Sequence, residues 1–407
     1  MTNGSMLYRA FVAPSSRRIL LWIVALGIAV RIGLFVAAFL YPITNENNHR
    51  ISGAIYQKDM DIGFCGRSSE SYFSANQFSG LIQKYFDFYG TSMFEPIGII
   101  APGPVYPTLL KLFDYQPGNT LPLSLFFVAI SVGFLVIWLG WLYRQQLPPF
   151  WLLAFALLPH PLWYMLNMST DVPFAFLVAV FFVLYFRNRW DGRVLTGWLA
   201  VLVLIVLTRP NGCSFLAFCF LDVLLFRREL EYRRRLLCLL FILGVAAALF
   251  YYPYLVNEIG RAARLEQYTF FGLRTGDYRN GIFDIAPLWL DRALSMAALF
   301  VAKLLYFVGL RPSYGDASIW LVAGRALPGL ILLPGLIHLF WRGDRRLQLL
   351  TVLYLLPILL AASQDRYSLP LQPVLLYQCA LLSPWMYGGL SLRWRRGESQ
   401  LGKLRQE

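Results

Sequence analysis

Long apolar runs alternate along the chain with short arginine-rich turns, and the runs have the lengths of helices rather than strands. Setting every basic turn on one side predicts crossings near 19–41, 120–143, 149–165, 170–187, 194–208, 213–226 and 236–254. The last part adds 319–341, 348–362 and 369–387, about ten in all. Several are short for a bilayer, and they count because each lies between a basic turn and a turn poor in basic residues. One further apolar stretch, "LSMAALFVAKLLYFVGL" at 294–310, would throw "WRGDRR" and the basic tail to opposite sides if it crossed. Parity predicts instead a helix lying on or dipping into the outer face, with Lys303 snorkelling toward headgroups. The expected class is an all-α polytopic membrane protein. It forms one membrane-embedded unit over 1–407, with no separately folding soluble domain and no short-period repeat. The first run, Ile19 to Tyr41, is expected to stay as an anchor, since no small-residue cleavage site follows it.

On this count the outer face receives residues 42–119, the turns "MLNMST" and "TRPNG", the segment 255–318, and "SQDRYSLP". Composition agrees with the pattern: the chain is 58% hydrophobic and 14% charged. A formal charge of +14 could point to nucleic acid. The arginines, however, cluster in short turns at 17–18, 187–193, 227–235, 342–346 and 393–396, which is how topology and anionic headgroups use them. No nucleic-acid partner is expected. The five cysteines show neither a disulfide framework nor metal-ligand spacing.

Four short outer segments hold the chemistry. "SESYFSANQFSGLIQKYFDFYG" (69–90) spaces Tyr72, Ala75, Phe78, Ile82 and Phe86 as the apolar stripe of an interfacial helix, with Glu70 in its first turn as a dipole-complementing or capping group, or as a base. After it, "GIIAPGPVYPTLLKLF" (98–113) sets Tyr106 among three prolines. In "LLPHPLWYMLNMSTDVPFAFL" (157–177), Thr170 or Asp171 is placed to cap the next helix, and His160 is either an acid or base or a satisfied hydrogen-bonding group. "LTRPNG" (207–212) puts Arg209 at a helix end, where it either snorkels or holds an anion such as a lipid phosphate. "SQDRYSLPLQP" (363–373) offers Arg366 as a second anion ligand, Tyr367 as an aromatic-belt residue, and Asp365 as a partner for Arg366. Of the ionisable groups inside the crossings, Arg31, Asp222, Arg325 and His338 form no evident paired set or inverted repeat, and Asp222 is expected at the inner interface.

Taken in this order, the four segments resemble the GT-C glycosyltransferases, polytopic enzymes that take a sugar from a polyprenyl-phosphate carrier. The likeness is to the bacterial branch related to protein mannosyltransferases and aminoarabinose transferases, and more loosely to the PIG-V type of mannosyltransferase. It implies a GT-C-like bundle in the cell inner membrane, with a helical first outer loop and the active site on the periplasmic side. The implied reaction is inverting transfer of a sugar to a hydroxyl of a glycan, lipid or protein acceptor. A first-loop carboxylate would be the general base and Arg209 and Arg366 would stabilise the leaving phosphate, with Tyr367, Tyr72, Tyr106, His160, Asp171 and Lys303 as further pocket candidates. Relatives place aspartate four residues before the tyrosine, where this chain has Ser68; the candidate base is Glu70, displaced by two positions, or else Asp61 or Asp59 of "QKDMDIGFC". One or two guanidinium groups can neutralise a leaving monophosphate, so neither a metal nor a cofactor is expected. The rival readings are a transporter or flippase and a noncatalytic subunit of a glycan-assembly complex.

Overall fold

The computed structural model describes residues 15–40, 43–44, 50–51, 105–113, 121–166, 170–187, 190–264, 280–310, 319–360 and 365–382. Apart from an antiparallel ladder pairing Ile43–Thr44 with Arg50–Ile51, the regular structure in these residues is helical. In chain order the helices are α1 (Arg17–Leu40), α2 (Val105–Leu112), α3 (Leu121–Arg144), α4 (Pro149–Ala156), α5 (Pro159–Leu166), α6 (Asp171–Tyr185) and α7 (Gly192–Thr208). They continue with α8 (Cys213–Leu225), α9 (Arg233–Arg264), α10 (Leu288–Phe307), α11 (Ile319–Arg342), α12 (Arg345–Leu360) and α13 (Gln372–Leu382). Single 3-10 turns, Pro210–Gly212 and Asp365–Ser368, precede α8 and α13.

Among the described residues four stretches are long and apolar enough to cross a membrane: Arg17–Ala37, Leu121–Arg144, Pro149–Leu166 and Arg233–Tyr251. Shorter apolar helices, among them α6, α7, α8 and α13, pack beside them. A continuous apolar core runs through the bundle, and large apolar side chains such as Trp22, Phe241 and Trp341 face outward, the inversion expected of a chain whose solvent is lipid. The protein is thus an all-α chain of membrane-protein character.

The expected crossing at 149–165 is two half-helices, because Leu157 leaves the helical path and Pro159 and Pro161 cannot continue the hydrogen-bond ladder. The break is bridged by a side chain. Arg31, fully buried in α1, donates from Nη1 to the Ala156 carbonyl (3.2 Å) and to Gly27 O (3.0 Å), and from Nε to Ser131 Oγ (3.0 Å). A half-helix end that would otherwise present a bare carbonyl to hydrocarbon finds its donor there.

Lys303 does not snorkel. It is buried near the end of α10 and its Nζ donates to Leu359 O at 2.9 Å, a cation placed at the C-terminal turn of α12 where it complements the helix dipole. That contact, and packing on the 365–368 turn, dock the C-terminal half of α10 on this end of α12. At its other end, the Asp291 carboxylate receives the backbone N–H groups of Ile282 (2.9 Å), Phe283 (3.0 Å) and Ile285 (3.2 Å), which hold it below the usual carboxylate range.

Helix α11 packs against α13 with its backbone close to that of its neighbour, and Gly335 is what permits it. A β-carbon there would overlap the Leu375 carbonyl oxygen and lie 2.8 Å from its carbon. Gly335→Ala is therefore expected to cost about 1–3 kcal/mol through overpacking, read as a lowered melting temperature in detergent. Gly140→Ala, with nothing within 4 Å of the added carbon, is expected to be neutral or to gain up to about 1 kcal/mol in helix propensity. For the 281–285 loop the linkage sign is that of a depressed carboxylate: protection of the Ile282 and Phe283 amides from hydrogen exchange is present above the ordinary value of 3.8 and is lost only as pH falls below it. Asp291→Asn is expected to weaken that protection at every pH.

Candidate functional site

The "TRPNG" break builds the first wall of the site. A residue before proline is driven out of the α region, and Arg209 is extended (φ −153°, ψ 149°), so its side chain leaves the helix surface. Pro210 has no N–H to offer the Val206 carbonyl, and Tyr251 OH donates to it instead (2.6 Å), while Thr208 Oγ1 back-bonds to Leu204 O (2.6 Å). Gly212 lets the chain fold back on α7, since a β-carbon would lie 2.7 Å from Val206 Cα.

Arg209 then meets Asp171. Its Nη1 forms a direct ion pair with Asp171 Oδ1, and the two residues are 9% and 2% exposed. Arg366, from the 365–368 turn, brings Nε to 3.6 Å from the other carboxylate oxygen. Tyr367 lies under both cations, with guanidinium carbons 5.1 Å (Arg209) and 5.5 Å (Arg366) from its ring centre. The turn is fixed from two sides. Tyr354 of α12 donates its hydroxyl to Tyr367 O (2.9 Å), and Gln372 Nε2 bridges Ser368 Oγ (2.8 Å) and His160 Nδ1 (2.7 Å). With the Gln372 amide so assigned, Nδ1 accepts and the His160 proton is on Nε2.

Segments distant in sequence therefore converge at one end of the bundle: Asp171 opening α6, Arg209 before α8, and Arg366 with Tyr367 after α12. His160 is joined to them through Gln372, and Lys303 caps the helix that leads into the Arg366 turn. The expected cap at the start of α6 is replaced. Thr170 makes no side-chain cap hydrogen bond, and the Asp171 carboxylate is turned to the arginines, whose charge stabilises a buried carboxylate more than terminal amides do. Arg366 likewise reaches Asp171; the Asp365 side chain lies outside the described residues. Tyr106 is fully buried in the core wall, its ring edge-on to Phe127 of α3. Glu70, Asp61, Asp59 and Tyr72 lie outside the described residues.

A second ionic cluster is at the opposite end of the same helices. Asp222, expected at an interface, is fully buried; it accepts from Tyr185 OH (2.7 Å), Arg227 Nε (3.1 Å) and Arg346 Nη2 (2.8 Å). A carboxylate one turn inside an apolar helix end needs such partners more than it needs solvent. Arg227 also stacks 3.8 Å from the Trp190 ring centre. His338 is paired too, through Nδ1 to Gln378 Oε1 at 2.9 Å. Polar groups scattered along the apolar runs are thus brought into pairs by the bundle. Of the residues missed by sequence reading, Ser368 and Gln372 had one signal, polar atoms at i and i+4 at the edge of an apolar run, while Tyr354, inside the run of α12, had none.

Two guanidinium groups on one carboxylate leave this end of the bundle with one positive charge in excess among these three residues. Between α7, α8 and α9 lies a cavity of about 260 Å³ with an apolar lining that includes Leu207, Val206, Leu216 and Phe250; Leu207 is two residues before Arg209, which does not itself line it. Among the described residues no three His, Cys, Asp or Glu side chains gather as metal ligands. Comparison of the chain with protein-family models, curated proteins and solved structures gives no significant match.

Arg209→Ala is expected to cost about 3–5 kcal/mol, because it strands a buried carboxylate, and Arg366→Ala less, since its pair is longer and more exposed. In a double-mutant cycle, Asp171→Asn and Arg209→Ala are expected to couple by about 2 kcal/mol in detergent unfolding.

Proposed function

We infer that the protein is an inverting glycosyltransferase of the GT-C kind, moving a sugar from a polyprenyl-phosphate donor to an acceptor hydroxyl. The observation that carries this reading is the meeting of Arg209, Arg366 and Tyr367 around Asp171 at one end of the bundle. Their positions in the chain match the family's motif order, and their chemistry suits a lipid phosphate. In this proposal that end faces the periplasm, the bundle crosses the inner membrane about ten times, and the apolar groove between α7, α8 and α9 takes the isoprenoid tail.

The acceptor oxygen attacks the anomeric carbon as the bond from that carbon to the phosphate oxygen breaks. The acceptor proton passes to a first-loop carboxylate, Glu70 or Asp61. The electron pair leaves with the polyprenyl phosphate, whose growing charge is met by Arg366 and Arg209. Asp171, held by both arginines, serves to aim them. The guanidinium groups neutralise the leaving monophosphate, so the proposal calls for no metal.

The test is transfer of labelled sugar from a polyprenyl-phosphate donor in liposomes. Arg366→Ala and Glu70→Gln are each expected to lower transfer by about 100-fold or more with helix content unchanged. Full activity in Glu70→Gln with a dead Asp61→Asn moves the base to Asp61. Movement of the lipid or sugar across the bilayer without a new glycosidic bond would replace this reading by a carrier, a class that the ionic clusters at both ends of one helix set also suit.

A further inference from the structure

Asp222, Tyr185, Arg227 and Arg346 have no part in the reaction above, yet they draw their members from the helices that build its site. Asp171 is the first residue of α6 and Tyr185 the last, about 21 Å apart at 1.5 Å per residue. Arg209 leads through one 3-10 turn into α8, which carries Asp222 near its far end. Arg346 is at the start of α12, and the turn bearing Arg366 follows the end of that helix. Each ionic cluster thus takes at least one member from each of the same three segments, Arg227 joining Asp222 from just past the end of α8.

A third layer lies between them. Phe174 of α6, Phe215 of α8 and Tyr354 of α12 form a ring trio, with centroids 6.1 Å (Phe174 to Phe215), 5.5 Å (Phe215 to Tyr354) and 6.4 Å (Phe174 to Tyr354) apart. The Tyr354 hydroxyl leaves that trio to hold the Tyr367 carbonyl at 2.9 Å, beside Arg366. A continuous physical path therefore runs from the Arg346 to Asp222 pair, along α12 and its tyrosine, to the turn that presents Arg366. Helices bound only by apolar contacts in lipid can slide or rotate at small cost, whereas directional ion pairs fix register.

We propose that Asp222 and Arg346 are positioning residues for the phosphate site at the opposite end of the bundle, setting the register of α12 against α6 and α8 so that Arg366 and Arg209 meet at Asp171. The pair touches no reacting atom and acts through the helices. The reading of the far end as a phosphate site rests on the function proposed above; the mechanical link does not.

The experiment uses the full chain in detergent and compares wild type, the isosteric Asp222→Asn and the milder Arg346→Lys with Leu139→Ala, a cavity variant in α3 outside both clusters. Two quantities are read at equal unfolded fraction: hydrogen exchange of the Leu369 and Leu371 amides, which bond to Arg366 O (3.2 Å) and Ser368 O (2.9 Å), and the Kd of decyl phosphate. In Asp222→Asn the exchange is expected to rise about tenfold and decyl phosphate to bind about tenfold more weakly. Leu139→Ala is expected to change neither. Should Asp222→Asn fail to fold, Arg346→Lys decides by the same two quantities. Unchanged exchange, an unchanged Kd beside faster exchange, or equal effects in Leu139→Ala would each overturn the proposal. If wild type itself does not bind decyl phosphate, the phosphate-site reading fails while the exchange result still decides the mechanical link.

Discussion

A carboxylate removed from water must be neutralised where it stands, and two such groups organise this bundle. Asp171 and Asp222 are each closed off from solvent and each is met by two guanidinium groups. In an apolar medium the attraction between opposite charges about 4 Å apart is several kcal/mol even at an effective dielectric of about 20, while an unpaired buried charge costs as much or more. The helices that supply these residues therefore have little freedom in register. Aromatic packing then fills the space between the two ionic layers.

The same scarcity of water governs the interruptions in the helices. Prolines break the chain at 157–159 and at 209–210, and each break leaves carbonyl groups without amide partners. Arg31 serves Ala156, Tyr251 serves Val206, and Lys303 serves Leu359. Irregular backbone is tolerated where side chains from neighbouring helices supply the donors. These breaks are also productive, because the one at Pro210 turns Arg209 away from its helix and into the site.

Two guanidinium groups share one buried carboxylate at this end of the bundle, and Asp171 orients both. The Gln372 bridge to His160 and the Tyr354 bond to Tyr367 make the Arg366 turn part of the core rather than a loose connection. A site that stabilises charge in a transition state gains from such fixed dipoles and cations, which do not reorganise as charge develops.

The helix positions were legible in the amino-acid order because hydrophobic run length and basic turns report directly on what a bilayer accepts: the expected segments 120–143, 194–208 and 213–226 lie within a residue or two of α3, α7 and α8. Arg209, Arg366 and Asp171 were legible as candidates because charge at the end of an apolar helix calls for a partner. Their partners were not, since a cap at Asp171 and a pair between Asp365 and Arg366 satisfy local rules equally well. Nor could sequence tell that Lys303 turns inward, that Asp222 is sealed from water, or that Gln372 joins Ser368 to His160. Run lengths and charge order are properties of the chain taken a window at a time, whereas these pairings depend on which helix faces lie together. Only the packed bundle decides that.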